Sequence, residues 1–404
     1  MFKNVYGDKV EYAYPAGTRL IKELPFDQRK SIGSSFNFPV VLAHENGFTL
    51  GAPSQSTSYS LLNPVAAQSK NATVDGYEVI LNSEVTYEAT AKAAAAGAKA
   101  FVKATKHVVR NMTDSHKKML EIQALYGRAD LGVIASVSSD TATITAASWS
   151  PGIWAGLEGA RLDVLTSDLA TERSGPGVVS SIDLSARTVT FATIPTSSQT
   201  GDRVFFENAV TAGATPTYAE NIGIHNALAT SGSVWGVNNS TYNLWKASTV
   251  SAGSAQLQFD HVQEASARVA EKGGIDGRNM LFVSNLTWVD LLGDQAALRR
   301  YDEEGSTSKY NTGAEAICFY TATGKVDIVP SIYVKRGFAY LLNLDMWSRT
   351  GAMDFRFGDP TSSDAFHRLE AKAGVNVRTY SNVSVISEAL GRNCLINNIV
   401  NSAS

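Results

Sequence analysis

Gly232-Ser233-Val234-Trp235-Gly236-Val237-Asn238-Asn239-Ser240-Thr241-Tyr242-Asn243-Leu244-Trp245-Lys246 sets glycines and polar turn residues among three large aromatics. Glycine and asparagine favour tight turns, so 232–249 is read as a loop. Trp and Tyr are enriched where a few contacts carry most of an interface's energy. From its residues alone the loop either binds a ligand or anchors a protein contact through Trp235, Tyr242 and Trp245. On its N-terminal side 219–230 reads as a short helix. On its C-terminal side the pattern gives a helix over 256–272, Gly273-Gly274, a strand at 279–283 and a helix near 287–300. Strands follow at 315–321, 325–329 and 338–343, and 366–399 offers long β segments.

Upstream, 131–217 has a different texture. Arg161, Arg173, Arg187 and Arg203 stand against Asp140, Glu158, Asp163, Asp168, Glu172, Asp183, Asp202 and Glu207, and there is no lysine between Lys118 and Lys246. The block also repeats itself. Gly132-Val133-Ile134-Ala135-Ser136-Val137 and Gly177-Val178-Val179-Ser180-Ser181-Ile182 each open a strand. Each is followed by an alternating partner, 141–145 or 188–192, and then by 159–164 or 201–206. Period-2 alternation with β-branched residues predicts six short strands. Two-fold repetition of three strands predicts a small closed barrel, which leaves no exposed edge; a sandwich is the other arrangement a duplicated hairpin allows.

The neighbouring segment, 87–126, is basic and helical. Residues 89–100 are mostly alanine, the best helix former. Val102, Val109, Met112, Met119 and Ile122 recur at helical spacing. Unbroken, the helix would be about 60 Å long at 1.5 Å per residue, although Thr113-Asp114-Ser115 could interrupt it, since such residues favour caps. Lys92, Lys99, Lys103, Lys106 and Arg110 form a solvated face or one turned to nucleic acid or an acidic neighbour. Before the helix, 32–86 reads as a long two-stranded excursion. Its strands are placed at Phe36-Asn37-Phe38-Pro39-Val40-Val41-Leu42 and Tyr77-Glu78-Val79-Ile80-Leu81, with a Ser/Ala/Gln-rich stretch between. A lone hairpin is marginal in water, so one this long is expected to rest on another subunit, with Tyr59, Leu61, Leu62 and Lys70 as contacts.

The whole chain has 404 residues, 18% charged, with a net charge of −3. That length holds about two or three domains. No run approaches the ~20 apolar residues of a membrane helix, and the N-terminus lacks the pattern of a secretory signal. Two cysteines, Cys318 and Cys394, cannot build a disulfide framework or a four-thiolate zinc site; Cys318 is expected to be a small core residue. The chain contains neither a phosphate-cradling glycine loop nor a nucleophile elbow. Asp260, His261 and Glu264 share one helical turn, which reads as a solvated helix end rather than a metal site. No catalytic, cofactor or metal constellation emerges, so the chain is not expected to be an enzyme.

With its flanking elements, the opening stretch resembles a segment common in the major capsid (coat) proteins of tailed bacteriophages. The resemblance covers roughly 219–400 by motif: 232–246, the helix at 256–272, Gly273-Gly274, Asn279-Met280-Leu281-Phe282-Val283-Ser284, and Tyr340-Leu341-Leu342-Asn343 followed by Trp347. Residues 1–126 match by element order alone. The resemblance implies an α+β Hong Kong 97-like capsid fold. Within it, 1–31 would be the N-terminal arm, 32–86 the extended loop, 87–130 with 366–404 the peripheral domain with its spine helix, and 218–365 the axial domain. Residues 131–217 would be an inserted β-barrel-like domain.

The implied function is a non-catalytic protein of the virion, made in the host cytoplasm. It would assemble as hexamers and pentamers into an icosahedral shell around double-stranded DNA. The implied partners are further copies of the chain, a separate scaffolding protein, a portal and a decoration protein, with no membrane. A cleaved scaffolding domain is not expected, because little chain precedes the extended loop. A covalent variant of the family joins a loop lysine to an asparagine of another subunit. Lys70 is the lysine in 32–86, but most relatives form no such link. The alternatives are an encapsulin-type nanocompartment shell protein and a phage tail or baseplate protein.

Overall fold

A computed structural model describes residues 17–27, 35–51, 59–86, 98–274, 277–293, 317–321, 324–358, 366–368 and 374–402. The chain opens with a one-turn helix, α1 (Leu20–Glu23), and a hairpin of β1 (Ser35–Ala43) and β2 (Gln68–Asp75). The expected pairing of 36–42 with 77–81 does not occur. β1 pairs antiparallel with β2, placing Phe36 opposite Val74 and Phe38 opposite Ala72. The second expected strand is β3 (Tyr77–Thr86), which pairs over ten residues with a strand near the C-terminus. The single turn residue Gly76 separates the two fates.

The long helix, α2 (Ala98–Tyr126), runs for 29 residues, about 44 Å. Residues 87–97, including Lys92, lie outside the described residues. The helix passes through Thr113-Asp114-Ser115 without a break. Thr113 Oγ1 donates 2.8 Å to the Val109 carbonyl four residues back, which keeps the hydroxyl from competing for the backbone. The last turns are buried: Leu120, Ile122, Leu125 and Tyr126 enter the core, and Glu121 accepts backbone N–H bonds from Arg19, Leu20 and Ile21.

Six strands then close the predicted barrel: β4 (Gly132–Ser138), β5 (Thr141–Ile144), β6 (Arg161–Leu165), β7 (Gly177–Asp183), β8 (Thr188–Phe191) and β9 (Arg203–Phe206). Their cyclic order is β4-β5-β8-β7-β6-β9. Exchanging the first three strands for the second three reproduces the same ring, so the sequence repeat is a structural two-fold. The registers agree: Val137 faces Ala142 as Ile182 faces Val189, and each first strand carries a bulge at the matching place. Alternate residues, among them Ile134, Ala142, Leu162, Val179, Val189 and Val204, fill the interior. Between β5 and β6 lies the short helix α3 (Pro151–Trp154). Trp149 and Trp154 stack there at 5.6 Å and 5°. This corner seats the barrel on 331–337: Gly152 N–H and Ser150 Oγ both donate to the Ile332 carbonyl, and Arg336 N–H donates to Trp149.

After α4 (Ile224–Ala227), a six-stranded mixed sheet forms from β10 (Ser248–Ala255), β11 (Asn279–Val283), β12 (Ile317–Thr321), β13 (Gly324–Pro330), β14 (Ala339–Asn343) and a last strand near the C-terminus. Helix α5 (Phe259–Ala270) packs Phe259, Val262, Ala265 and Val269 against it. α6 (Asn285–Gly293) accounts for the helix predicted near 287–300; residues 294–300 lie outside the described residues. The remaining strands are β15 (Trp347–Phe357), β16 (Phe366–Arg368), β17 (Gly374–Ser387) and β18 (Cys394–Ile399). β17 forms the spine of a four-stranded sheet, flanked by β3 on one edge and by β15 and β16 on the other.

Sheet membership cuts across the expected grouping of 366–399. β18 pairs with β10 and β14 in the six-stranded sheet, and β15, which the sequence reading missed, belongs with β17. Cys318 is a second correction. It is exposed on the edge strand β12 and its thiol donates 3.0 Å to Asp327 Oδ1, while its neighbour Phe319 takes the buried side.

Candidate functional site

Between β1 and β2 the chain leaves the body as two extended limbs, 44–51 and 59–67. They run side by side with few bonds: Asn46 N–H donates 3.1 Å to the Val65 carbonyl, and Leu62 N–H donates 2.8 Å to Thr49 Oγ1. The large side chains on them touch no core. Leu50 is 94% exposed, Leu61 80%, Phe48 74% and Leu62 64%, with Tyr59 and Val65 about half exposed. An apolar row this long is uncommon on a monomer surface. Burying six such side chains is worth on the order of 10 kcal/mol before ordering costs. Tyr59, Leu61 and Leu62, the expected contact residues, lie on these limbs with their side chains exposed. Lys70 is exposed opposite Val40 at the base of the limbs. Phe48, Leu50 and Val65 were missed; their signal was large apolar residues in a stretch with no helix or strand period.

The base of the arm is held firmly. Phe36, Phe38, Ala72 and Val74 face inward, Phe36 and Phe38 stack at 5.5 Å, and Phe38 lies 6.2 Å from Trp245. Thr73 N–H donates 2.9 Å to the Trp235 carbonyl. This is where the opening stretch goes. Trp235 is 5% exposed and Trp245 1%, and Trp235 packs edge-to-face on both Trp245 and Trp347. Both indoles are spent inside the chain, so their rings are not available to a neighbour as the sequence reading expected. Tyr242 is half-buried beside them. The aromatics anchor an interface after all, but an internal one: they fix the arm's root to the body.

Of the basic residues, Arg110 is exposed and pairs with Asp114 at 3.8 Å. Lys99, Lys103 and Lys106 fall within α2, and their side chains lie outside the described residues, as does Lys92. Asp260, His261 and Glu264 do not converge on a cation. His261 Nδ1 accepts the Gln258 N–H in a capping box, and Glu264 pairs with Arg268. Among the described residues no group of His, Cys, Asp and Glu could hold a metal ion, and no helix is long and apolar enough to cross a membrane.

Ionisable groups cluster where the chain enters and leaves the barrel. Lys335 Nζ donates to the Asp130 carbonyl at 2.6 Å and to its Oδ1 at 3.0 Å, and lies 4.4 Å over the Tyr126 ring. Burial would raise the Asp130 carboxyl, but the charge and hydrogen bond of Lys335 and the charge of Arg203 hold it below its usual range. Burial and the Lys335 charge bring His225 down to about 4, so it is neutral beside the Tyr340 hydroxyl, 2.9 Å away. The strand-side His116 is likewise brought to about 4 by burial, between Thr379 and Ser381. At the barrel exit Glu220 is buried, which raises its carboxyl to about 7 although Arg128 N–H donates to it.

That Glu220 shift has a sign that can be measured. A carboxyl raised in the folded chain stabilises below its unfolded value of 4.5, and that contribution disappears as pH rises through about 7. The change is worth about 3 kcal/mol at 1.36 kcal/mol per pKa unit. Glu220→Gln is expected to melt progressively higher relative to the parent between pH 5 and pH 8. Melting curves with the same offset at both pH values would show that Glu220 does not titrate there.

No family model matches the sequence, and no curated protein matches it. Solved structures do. The chain is similar to a protein of the Cyanophage A-1(L) capsid asymmetric unit, at TM-score 0.57 and 11% identity, over 98% of this chain and 97% of that one. It is also similar to the capsid of a native GTA particle, at TM-score 0.50 and 10% identity, over 99% and 96%. At such identities the likeness is one of fold, and it runs from end to end: this mixed α+β chain has the fold of capsid-shell proteins.

Proposed function

We propose that this protein is the major capsid protein of a tailed bacteriophage, a non-catalytic subunit that assembles with its own copies into an icosahedral shell around double-stranded DNA. The observation that carries the reading is the unpartnered apolar arm on a fold that capsid shells share along their whole length. A lone chain leaves those side chains in water. A closed shell gives each arm a neighbouring subunit to lie on, and many weak contacts sum to a stable particle.

In this reading the parts take the Hong Kong 97 roles. The arm is the extended loop, α2 the spine helix, the four-stranded sheet the peripheral domain and the six-stranded sheet the axial domain. The barrel is an insertion. The sheets support moving β15 to the peripheral side and β18 to the axial side of the division. The basic side of α2, with Arg110, faces the DNA, and the acidic barrel faces outward. A separate scaffolding protein, a portal and a decoration protein complete the particle.

Electron microscopy of the purified protein tests this. Closed shells of uniform diameter are the expected result. Tubes or open rings would contradict it, and shells filled with protein and free of nucleic acid in infected cells would move the reading to a nanocompartment.

A further inference from the structure

A cleft of about 420 Å³ lies where four parts of the chain meet: residues 18–22 around α1, residues 111–118 of α2, Ala155-Gly156 just after α3, and Tyr333. Lys22, Lys117 and Lys118 line it against one carboxylate, Asp114, which already engages Arg110. Asn111 and Ser115 add an amide and a hydroxyl to the same wall. Lys22 and Lys117 are exposed at the mouth, whereas Lys118 is half-buried and donates 2.6 Å to the Ala155 carbonyl. Three ammonium groups around one cleft favour a multiply charged anion, although Ile21 and Tyr333 make part of the wall apolar, and lysine serves phosphate as a point charge.

We propose that this cleft binds a phosphate group, with Lys118 gripping it from within and Lys22 and Lys117 closing over it. Burial brings the Lys118 ammonium down to about 8, with Glu158 opposing only part of that fall. An anion beside it would restore its proton. The ligand is either a free phosphate ester or the backbone of a nucleic acid; both present the same group. The site does not depend on the shell reading, because binding is measured on the unassembled chain.

Calorimetric titration of the full chain with inorganic pyrophosphate, and separately with a short oligodeoxynucleotide, tests the site. Pyrophosphate is expected to saturate at one per chain. Affinity is expected to fall at least tenfold in Lys118→Gln and in the Lys22→Ala/Lys117→Ala pair, and to be unchanged in Lys325→Ala, a lysine of β13. Buffer-dependent heats measured with sulfate, a dianion that does not itself titrate in this range, should show proton uptake near pH 8.5 and none near pH 6.5, with the uptake lost in Lys118→Gln. If Lys118→Gln fails to fold, the exposed pair and the proton uptake still decide. An oligonucleotide affinity that falls in parallel assigns the site to a nucleic-acid backbone; one that is unchanged while pyrophosphate is lost assigns it to a free phosphate. Unaltered pyrophosphate binding in both variants, or equal weakening by Lys325→Ala, would overturn the site.

Discussion

A chain carrying Leu50→Asp and Leu61→Asp is expected to fold like the parent and to form no shells. Both side chains lie almost wholly in solvent, 94% and 80% exposed, and substitutions at such positions usually change stability by no more than about 0.5 kcal/mol. The monomer should therefore keep its melting temperature and its circular dichroism. Assembly is another matter. Each carboxylate would have to enter an apolar contact, where an unpaired charge costs several kcal/mol. That penalty recurs at every subunit, so a modest loss per contact removes the whole particle. Light scattering and electron microscopy should show monomers or small oligomers under conditions where the parent closes. Leu50→Met with Leu61→Met keeps the apolar surface and should assemble. Normal shells from the aspartate pair would mean that the arm is not the contact.

The contrast between arm and loop shows what a single sequence can and cannot disclose. The barrel was legible because its inside and outside alternate residue by residue, and because the pattern occurs twice. Helix α2 was legible from the helical spacing of Val102, Val109, Met112, Met119 and Ile122, whereas most of the alanine-rich 89–100 lies outside the described residues. Strand β2 was not: Gln68-Ser69-Lys70-Asn71 is polar on both faces, and pairing with β1 is specified only by Ala72 and Val74 meeting Phe38 and Phe36. β15 escaped for a related reason, since Ser348, Arg349 and Thr350 are polar yet buried. The aromatic stretch at 232–246 was correctly singled out, but exposure is not written in residue type. Trp235 and Trp245 found partners in Trp347 and Phe38, far away in sequence, whereas Leu50 and Leu61 stay exposed among the described residues. What a lone sequence marks as sticky is the set of contact-forming residues; only the fold sorts those already satisfied from those still waiting.

Such waiting surfaces need a body that holds its shape, and the joint between barrel and body is where the chain concentrates its buried charge. Gly127 and Gly223 cross there, Gly223 N–H donating 3.0 Å to the Gly127 carbonyl. A Cβ on Gly127 would run into the Asn221 carbonyl, so the crossing tolerates no side chain. The barrel is thus attached by two tight strands of chain, by the Trp149–Trp154 corner and by Asp130, which pairs with Arg203 of β9 at 3.8 Å and, more deeply buried, with Lys335 at 3.0 Å.

That ion pair is the second large effect. Asp130→Ala is expected to destabilise the protein by about 3–5 kcal/mol, the cost of leaving one member of a buried pair alone. The Lys335 side chain is 3% exposed and that of Asp130 15%, so water cannot take the missing partner's place. The Asp130 backbone carbonyl and the Tyr126 ring would remain, but neither carries a charge. Because the Asp130 carboxyl is held low in the folded chain, its contribution is present above its ordinary value of 3.8 and is lost as the solution is acidified below it. Urea unfolding at pH 7 should therefore show the full loss, and the difference from the parent should shrink as the pH is lowered below 3.8. The double variant Asp130→Ala/Lys335→Met removes both charges and keeps most of the volume over Tyr126. It should recover more than half of the stability lost in the single variant, since an apolar pair can replace a buried salt bridge at little cost. A double variant as unstable as the sum of its singles would mean that the two groups act separately. In that case the barrel would be held by its tryptophan corner and its backbone crossing alone.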